Sequence, residues 1–155
     1  MYGYVLQDWI TIRGTTAAAG NAYGGTGDII QGESTWMGFS SFQDVVFWLD
    51  VREATLPTTS LNWYFETSPT KDQILFTSMP TAATAAISLA TGWTPGVQSL
   101  TKVILASGPS VPLATWVRWR VSPINASAQT WDATFRVLCA ANRVVRQQRQ
   151  RQATW

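Results

Sequence analysis

The sequence predicts an all-β domain, an antiparallel β-sandwich or jelly roll of about eight strands, on three observations. Short alternations of period two recur along the chain, the clearest being Val45, Phe47, Leu49 and Val51 set against Asp44, Val46, Trp48, Asp50 and Arg52. Clusters of Gly, Pro, Asn, Asp and Ser break the chain between these runs. No stretch carries the i, i+3, i+4, i+7 spacing of a long amphipathic helix. A strand with one apolar face must bury it under another layer, so many short strands imply two packed sheets. At 155 residues the chain is the length of one domain and buries a sizeable core without disulfides or metals.

The elements follow in order. Tyr4 to Ile12 is rich in aromatic and β-branched residues and reads as the first strand. Residues 14–32 hold six glycines among Thr, Ala and Asn, and read as an extended loop or arm. Phe42–Glu53 is the strongest strand, with Val45, Phe47, Leu49 and Val51 facing the core. In the next strand Leu61, Trp63 and Phe65 face inward, with Asn62, Tyr64 and Glu66 outward. A turn at Ser68–Asp72 leads to a short strand over Gln73–Ser78. The Ala/Thr-rich segment 79–96 admits a short strand near Ile87–Leu89 or one or two helical turns over Ala82–Ala90. Val97–Ala106 is a strand. Thr115–Val121 turns Val117, Trp119 and Val121 inward and Trp116, Arg118 and Arg120 outward. Thr130–Ala140 turns Trp131, Ala133, Phe135, Val137 and Cys139 inward and Asp132, Thr134 and Arg136 outward. The organisation expected is therefore a sandwich over residues 1–140, carrying the loop 14–32, and a basic arm over residues 141–155.

Composition points to a molecule covered by neighbours. Charged residues make up 13% of the chain, about half the share usual in soluble domains, and there are nine tryptophans, a residue favoured in cores and as an interface anchor. The net charge of +2 conceals an asymmetry: Arg143, Arg146, Arg149 and Arg151 stand in a terminal stretch free of acids. No apolar run is long enough to cross a membrane as a helix. Residues 1–9 lack the basic and apolar regions of a secretory signal, so secretion is not expected, and the sequon Asn125-Ala126-Ser127 carries little weight.

Catalytic chemistry finds little to work with. There is no histidine, which removes the commonest general base and metal ligand, and with one cysteine zinc binding is not expected. Cys139 alternates inward and reads as a small buried hydrophobe. Asp50 and Glu66 lie on outward faces of successive strands, where they would either meet as a carboxylate pair or form ion pairs with Arg52, Arg118, Arg120 or Arg136; the ion pairs are preferred. Arg118, Arg120 and Arg136 could instead form a basic stripe over aromatic rings. Gly24-Gly25-Thr26-Gly27 lacks the Lys-Ser/Thr of a phosphate loop and reads as a connector. No enzyme activity, cofactor, metal or small-molecule substrate is expected.

The outward aromatics carry more information. Trp48, Tyr64 and Trp116 fall on the outer faces of strands, and Trp36 and Trp93 near loops or strand ends. Each asks for a cover, either a partner subunit or a stacked sugar as in carbohydrate-binding sandwich modules, unless the alternation is off by one register or the sheet is covered on both faces. The tail with Arg143, Arg146, Arg149, Arg151 and Trp155 reads as an arm docking on an acidic protein surface, with nucleic acid as the alternative partner.

Val46-Phe-Trp-Leu-Asp-Val-Arg-Glu, then Leu61-Asn-Trp-Tyr-Phe-Glu-Thr-Ser-Pro-Thr, and later Trp116-Val-Arg-Trp-Arg-Val and Trp131-Asp-Ala-Thr-Phe-Arg-Val resemble a pattern of small virion proteins of tailed bacteriophages. The resemblance covers about residues 42–78 and 115–138 and is one of strands and turns. The group named is the head cement or decoration proteins with jelly-roll folds. It implies a virion protein on the capsid surface, made in the host cytoplasm, that bridges the major capsid protein and copies of itself. Trp36, Tyr64, Trp93, Trp116, Arg143, Arg146, Arg149, Arg151 and Trp155 are the interface residues expected from the reading of the residues above. The alternatives are a carbohydrate-binding module and another virion component, such as a head–tail joining or tail protein.

Overall fold

The computed structural model describes residues 2–15, 28–56, 60–79, 87–90, 94–102, 113–124 and 130–143. Among them the chain is all-β, with ten strands in two antiparallel sheets. The first sheet has the order β1 (Tyr2–Thr15), β10 (Thr130–Arg143), β4 (Phe42–Thr55), β8 (Gly96–Lys102). The second runs β2 (Ile29–Ile30), β9 (Trp116–Ile124), β5 (Ser60–Ser68), β6 (Thr77–Ser78), with β3 (Met37–Gly38) also on β9 and β7 (Ile87–Leu89) also on β5. From β4 onward the longer strands alternate between the sheets along the chain: β4, β8 and β10 join β1 in one, β5 and β9 lie in the other.

The period-two alternation sets what is buried. Val45, Phe47, Leu49, Val51, Ala133, Phe135, Val137 and Cys139 of the first sheet face Leu61, Trp63, Phe65, Val117, Trp119 and Val121 of the second, and all are buried. Rings bridge the two layers. Phe47 stacks on Phe65 at 4.2 Å with an interplanar angle of 4°. Phe135 meets Trp63 and Trp119 edge-on at 5.4 and 5.2 Å. Such pairs add roughly 0.5–1.5 kcal/mol each beyond the area they bury.

Several expectations are corrected. Gln73–Ser78 is not one strand: Gln73–Leu75 is a 3₁₀ turn, and only Thr77–Ser78 pairs with β5. The cause is Asp72, whose Oδ1 accepts the N–H of Ile74 at 3.2 Å and draws the backbone into a turn. Gly14 does not open a loop, since β1 continues to Thr15. It faces inward, where a Cβ would lie 2.7 Å from Cζ2 of Trp131, so glycine is what lets the strand pass over that ring. Ile29–Ile30, within the expected loop, pairs with β9. The boundary at 140/141 also moves, because β10 runs to Arg143 and Ala141 is buried in the core. Residues 16–27 of the loop, 103–106 of the expected strand and 144–155 of the arm lie outside the described residues.

Candidate functional site

The outer face of the second sheet holds a covered ionic cluster. β5 and β9 pair so that Glu66 stands opposite Arg118 and Tyr64 opposite Arg120. The Glu66 carboxylate accepts from Nε of Arg118 at 2.8 Å and from Nε of Arg120 at 2.6 Å. Nη1 of Arg120 also donates to Asp28 at 2.7 Å. Burial lowers the Arg120 pKa, but the hydrogen bonds and charges of Glu66 and Asp28 outweigh it and hold the guanidinium above its ordinary value.

Irregular segments form a third layer over this cluster. The Arg118 guanidinium lies 3.9 Å from the Phe76 ring centroid and 5.3 Å from that of Trp36, which packs edge-on against Phe76 at 4.6 Å. Gln31 pins the layer down: its Nε2 donates to the carbonyls of Leu6 and Thr35, and its Oε1 accepts the N–H of Trp119. The Trp36 Nε1 donates to the Gln31 carbonyl at 2.8 Å. Trp36 and Arg118, both expected at the surface, are therefore interior; side chains of Arg118 and Glu66 are each only 4% exposed. A cleft of about 380 Å³ beside the cluster is lined by Ile30, Glu66, Asp72, Ile74, Arg118 and Arg120 among others. The charges of its two guanidiniums are balanced by Glu66 and Asp28, although Nη1 of Arg118 has no hydrogen-bond partner among the described residues.

The other expected interface residues fall as follows. Tyr64 is half-buried beneath the Arg120 guanidinium, 4.2 Å from its centroid. Trp116 lies under Lys71 Nζ at 4.5 Å. Arg143 is the end of β10 and stands 4.9 Å over the Tyr2 ring. Trp93, Arg146, Arg149, Arg151 and Trp155 lie outside the described residues. Asp50 and Glu66 do not approach as a catalytic pair, because β4 and β5 belong to different sheets and the two carboxylates face opposite sides of the sandwich. Asp50 instead accepts from Nε of Arg136 at 2.7 Å, so the expected ion pairing holds at both places. Arg136 likewise lies on the sheet opposite to Arg118 and Arg120, which rules out a common stripe.

The outer face of the first sheet has a different character. Rows across it can be read from the register. One row is Val5, Leu138, Trp48; the next is Gly3, Ala140, Val46. The row on one side is Asn142 with Asp44, joined by hydrogen bonds at 2.9 and 3.0 Å. On the other side Arg136 pairs with Asp50 beneath the Trp9 ring, 4.8 Å from Arg136. An apolar stripe thus crosses the sheet between two polar borders. It ends at β1, where Val5 and Trp9 are 52% and 42% exposed. This arrangement of an apolar centre with a polar rim is the anatomy of a protein-contact surface.

No family model matches the chain, and none of the curated proteins matches it. Among the described residues no three of His, Cys, Asp and Glu gather as metal ligands. Cys139 is buried against Tyr4 of β1 and Phe47 of β4 in the register, and burial pushes its thiol up to about 12, far from the thiolate a nucleophile needs. The sequence reading passed over Leu138 and Trp9 as contact residues. Their signal was a run of apolar residues at outward positions of three strands that register alone brings side by side.

Proposed function

We propose that this chain is a structural virion protein, a capsid cement subunit that docks on the major capsid protein through the outer face of its first sheet. The observation that supports this reading is the stripe of Val5, Leu138, Trp48 and Val46 bordered by Asp44–Asn142 and Arg136–Asp50. Several such subunits on one lattice would gain avidity from contacts that are individually weak. The strand orders β1-β10-β4-β8 and β2-β9-β5 agree with the double Greek key of a jelly roll. That topology is common to viral shell proteins and lectins, so it agrees with the reading without selecting it.

A carbohydrate module is the weaker reading, because the aromatic platforms expected for it among the described residues, Trp36, Tyr64 and Trp116, are engaged. Trp36 is interior, and a sugar would have to displace Lys71 from Trp116 or Arg120 from Tyr64. The deciding experiment is to purify particles and measure this chain against the shell protein. A near-stoichiometric ratio is expected for cement, whereas a few copies per particle would indicate a joining or tail component. Leu138→Glu and Trp48→Glu should abolish rebinding to stripped shells while leaving the circular dichroism unchanged. Absence from particles, or undiminished rebinding of both variants, refutes the proposal. Binding to a glycan array that is lost in Trp116→Ala would favour the carbohydrate reading.

A further inference from the structure

Arg118 carries a donor that the fold does not use. Its Nε donates to Glu66 at 2.8 Å, and the rings of Phe76 and Trp36 lie against the guanidinium. Nη1 is buried and has no hydrogen-bond partner among the described residues. A charged donor withheld from both water and protein is costly, and native folds seldom leave one so without a reason.

The same side chain forms part of the wall of the cleft of about 380 Å³ on the outer face of the second sheet. Glu66 holds its Nε and the aromatic rings its flat side, so the Nη end is what remains to meet a guest there. Gln73 is exposed on the rim and is the side chain an entering group would displace. The surrounding charges narrow the guest. The two guanidiniums are matched by Glu66 and Asp28, and Asp72 adds a further carboxylate to the wall, whereas Lys71 is turned onto Trp116. A carboxylate or phosphate would enter against that excess. An ammonium group has no acceptor to offer Nη1. An uncharged oxygen is left, and an amide supplies one together with an N–H suited to the Asp72 carboxylate.

Beside this polar slot stands an apolar step. Ile74 is 77% exposed, more than any other large hydrophobic among the described residues, and Leu75 is 47% exposed. Neither rides on a loose segment. Asp72 Oδ1 accepts the N–H of Ile74 at 3.2 Å, the Asp72 carbonyl accepts that of Leu75 at 3.1 Å, and Phe76 is buried. A slot with one waiting donor, beside aliphatic side chains held out on a fixed turn, suits a peptide that puts a carbonyl in the slot and a side chain on the step. A small free amide would cover Ile74 and leave Leu75 in water, whereas a chain reaches both.

We propose that this cleft receives an extended segment of a partner protein, one backbone carbonyl accepting from Nη1 of Arg118 and a neighbouring aliphatic side chain packing on Ile74 and Leu75. The inference goes beyond the docking proposal, because the cleft lies on the sheet opposite the apolar stripe and gives the molecule a second contact face.

The test is a two-dimensional NMR titration of the isotope-labelled full chain with a blocked tripeptide, acetyl-Ala-Leu-Ala-amide. The Arg118 Nε–H and Trp36 indole N–H signals should shift saturably, with half-saturation at about 1–10 mM, the strength of one anchored contact. Acetyl-leucinamide should bind at least about threefold more weakly, because it leaves Leu75 uncovered. Acetyl-leucine, whose carboxylate meets Asp72 and Glu66, should be weaker than acetyl-leucinamide by about threefold or more. Ile74→Asp alters an exposed position and should weaken the tripeptide at least about fivefold with the circular dichroism unchanged. Leu138→Glu, which acts on the stripe, should leave this binding as it is, so the two proposals fail separately. No saturable shift up to about 50 mM tripeptide overturns the proposal. So does binding that survives Ile74→Asp, or a preference for acetyl-leucine. Equal binding of the tripeptide and acetyl-leucinamide overturns it as well, since the cleft would then take a small amide and not a chain.

Discussion

Replacing Glu66 by Gln isolates the buried ionic cluster. The carboxylate accepts from two guanidiniums, at 2.8 and 2.6 Å, and its side chain is 4% exposed. In Glu66→Gln, Arg120 keeps Asp28 at 2.7 Å. Among the described residues Arg118 does not have that recourse: the faces of Phe76 and Trp36 lie against it, and its Nη1 already lacks a partner. Removing one member of a buried pair costs about 3–5 kcal/mol, because the survivor's charge stays desolvated. Gln retains an acceptor oxygen, which places the expected loss near the lower end, about 3 kcal/mol. For a domain of this size that is a fall in Tm of roughly 6–12 °C. The assay is urea and thermal unfolding followed by tryptophan fluorescence, run as a double-mutant cycle with Arg118→Met. Met puts a flexible apolar chain between Phe76 and Trp36 and removes the stranded charge. The double variant should therefore be more stable than Glu66→Gln alone, with a coupling of at least about 1.5 kcal/mol. A Tm drop below about 2 °C in Glu66→Gln, or strict additivity, would refute the argument.

Three further outcomes are expected. Asp50→Asn should cost less than about 1 kcal/mol in the same unfolding assay, because Arg136 and Asp50 side chains are 38% and 18% exposed and solvent screens the pair. Gly14→Ala should cost about 1–3 kcal/mol, since the new methyl meets Cζ2 and Cε2 of Trp131 at 2.7 and 2.9 Å and either the ring or the strand must shift. Cys139 should resist alkylation in the native state at pH 8 and react at once in denaturant. Its thiol is raised on folding to about 12, so the neutral form is the one the fold stabilises; that contribution is complete below about 9 and fades as pH rises towards 12, which a urea midpoint series across that range would register.

Periodicity made the inner faces legible. Every inward residue expected on β4, β5, β9 and β10 is buried, because a strand with one face in a dry core must alternate and the alternation is written in the residues themselves. The outer faces were read less well. Arg118 and Glu66 look like solvent-facing positions of their strands, and nothing in their own neighbourhood says that Gln31–Trp36 and Asp72–Phe76 fold over them. That third layer is held by a side-chain amide and by Asp72 capping a turn, interactions with no period to detect. The charge pairing itself could be anticipated, since two arginines on one strand and a glutamate on its neighbour have few better options. The stripe of Val5, Leu138 and Trp48 was hidden for another reason. Each residue is an isolated outward apolar on its own strand, and only the order β1, β10, β4 makes them adjacent.

The pairing of β1 with β10 also governs how the molecule comes into being. Tyr2 lies opposite Ala141 and Thr15 opposite Thr130, so the opening segment has no cognate strand until more than a hundred further residues have left the ribosome. At a synthesis rate of roughly 5–20 residues per second, that wait is on the order of ten seconds. Through it Tyr2, Val5, Leu6, Trp9, Ile10 and Ile12 wait for the strand they pair beside, and contacts so distant in sequence also form slowly once the partner arrives. Nascent chains should for that reason lean on chaperones for most of their synthesis, and shortening the product before residue 130 should leave an insoluble fragment in place of a smaller version of the same body.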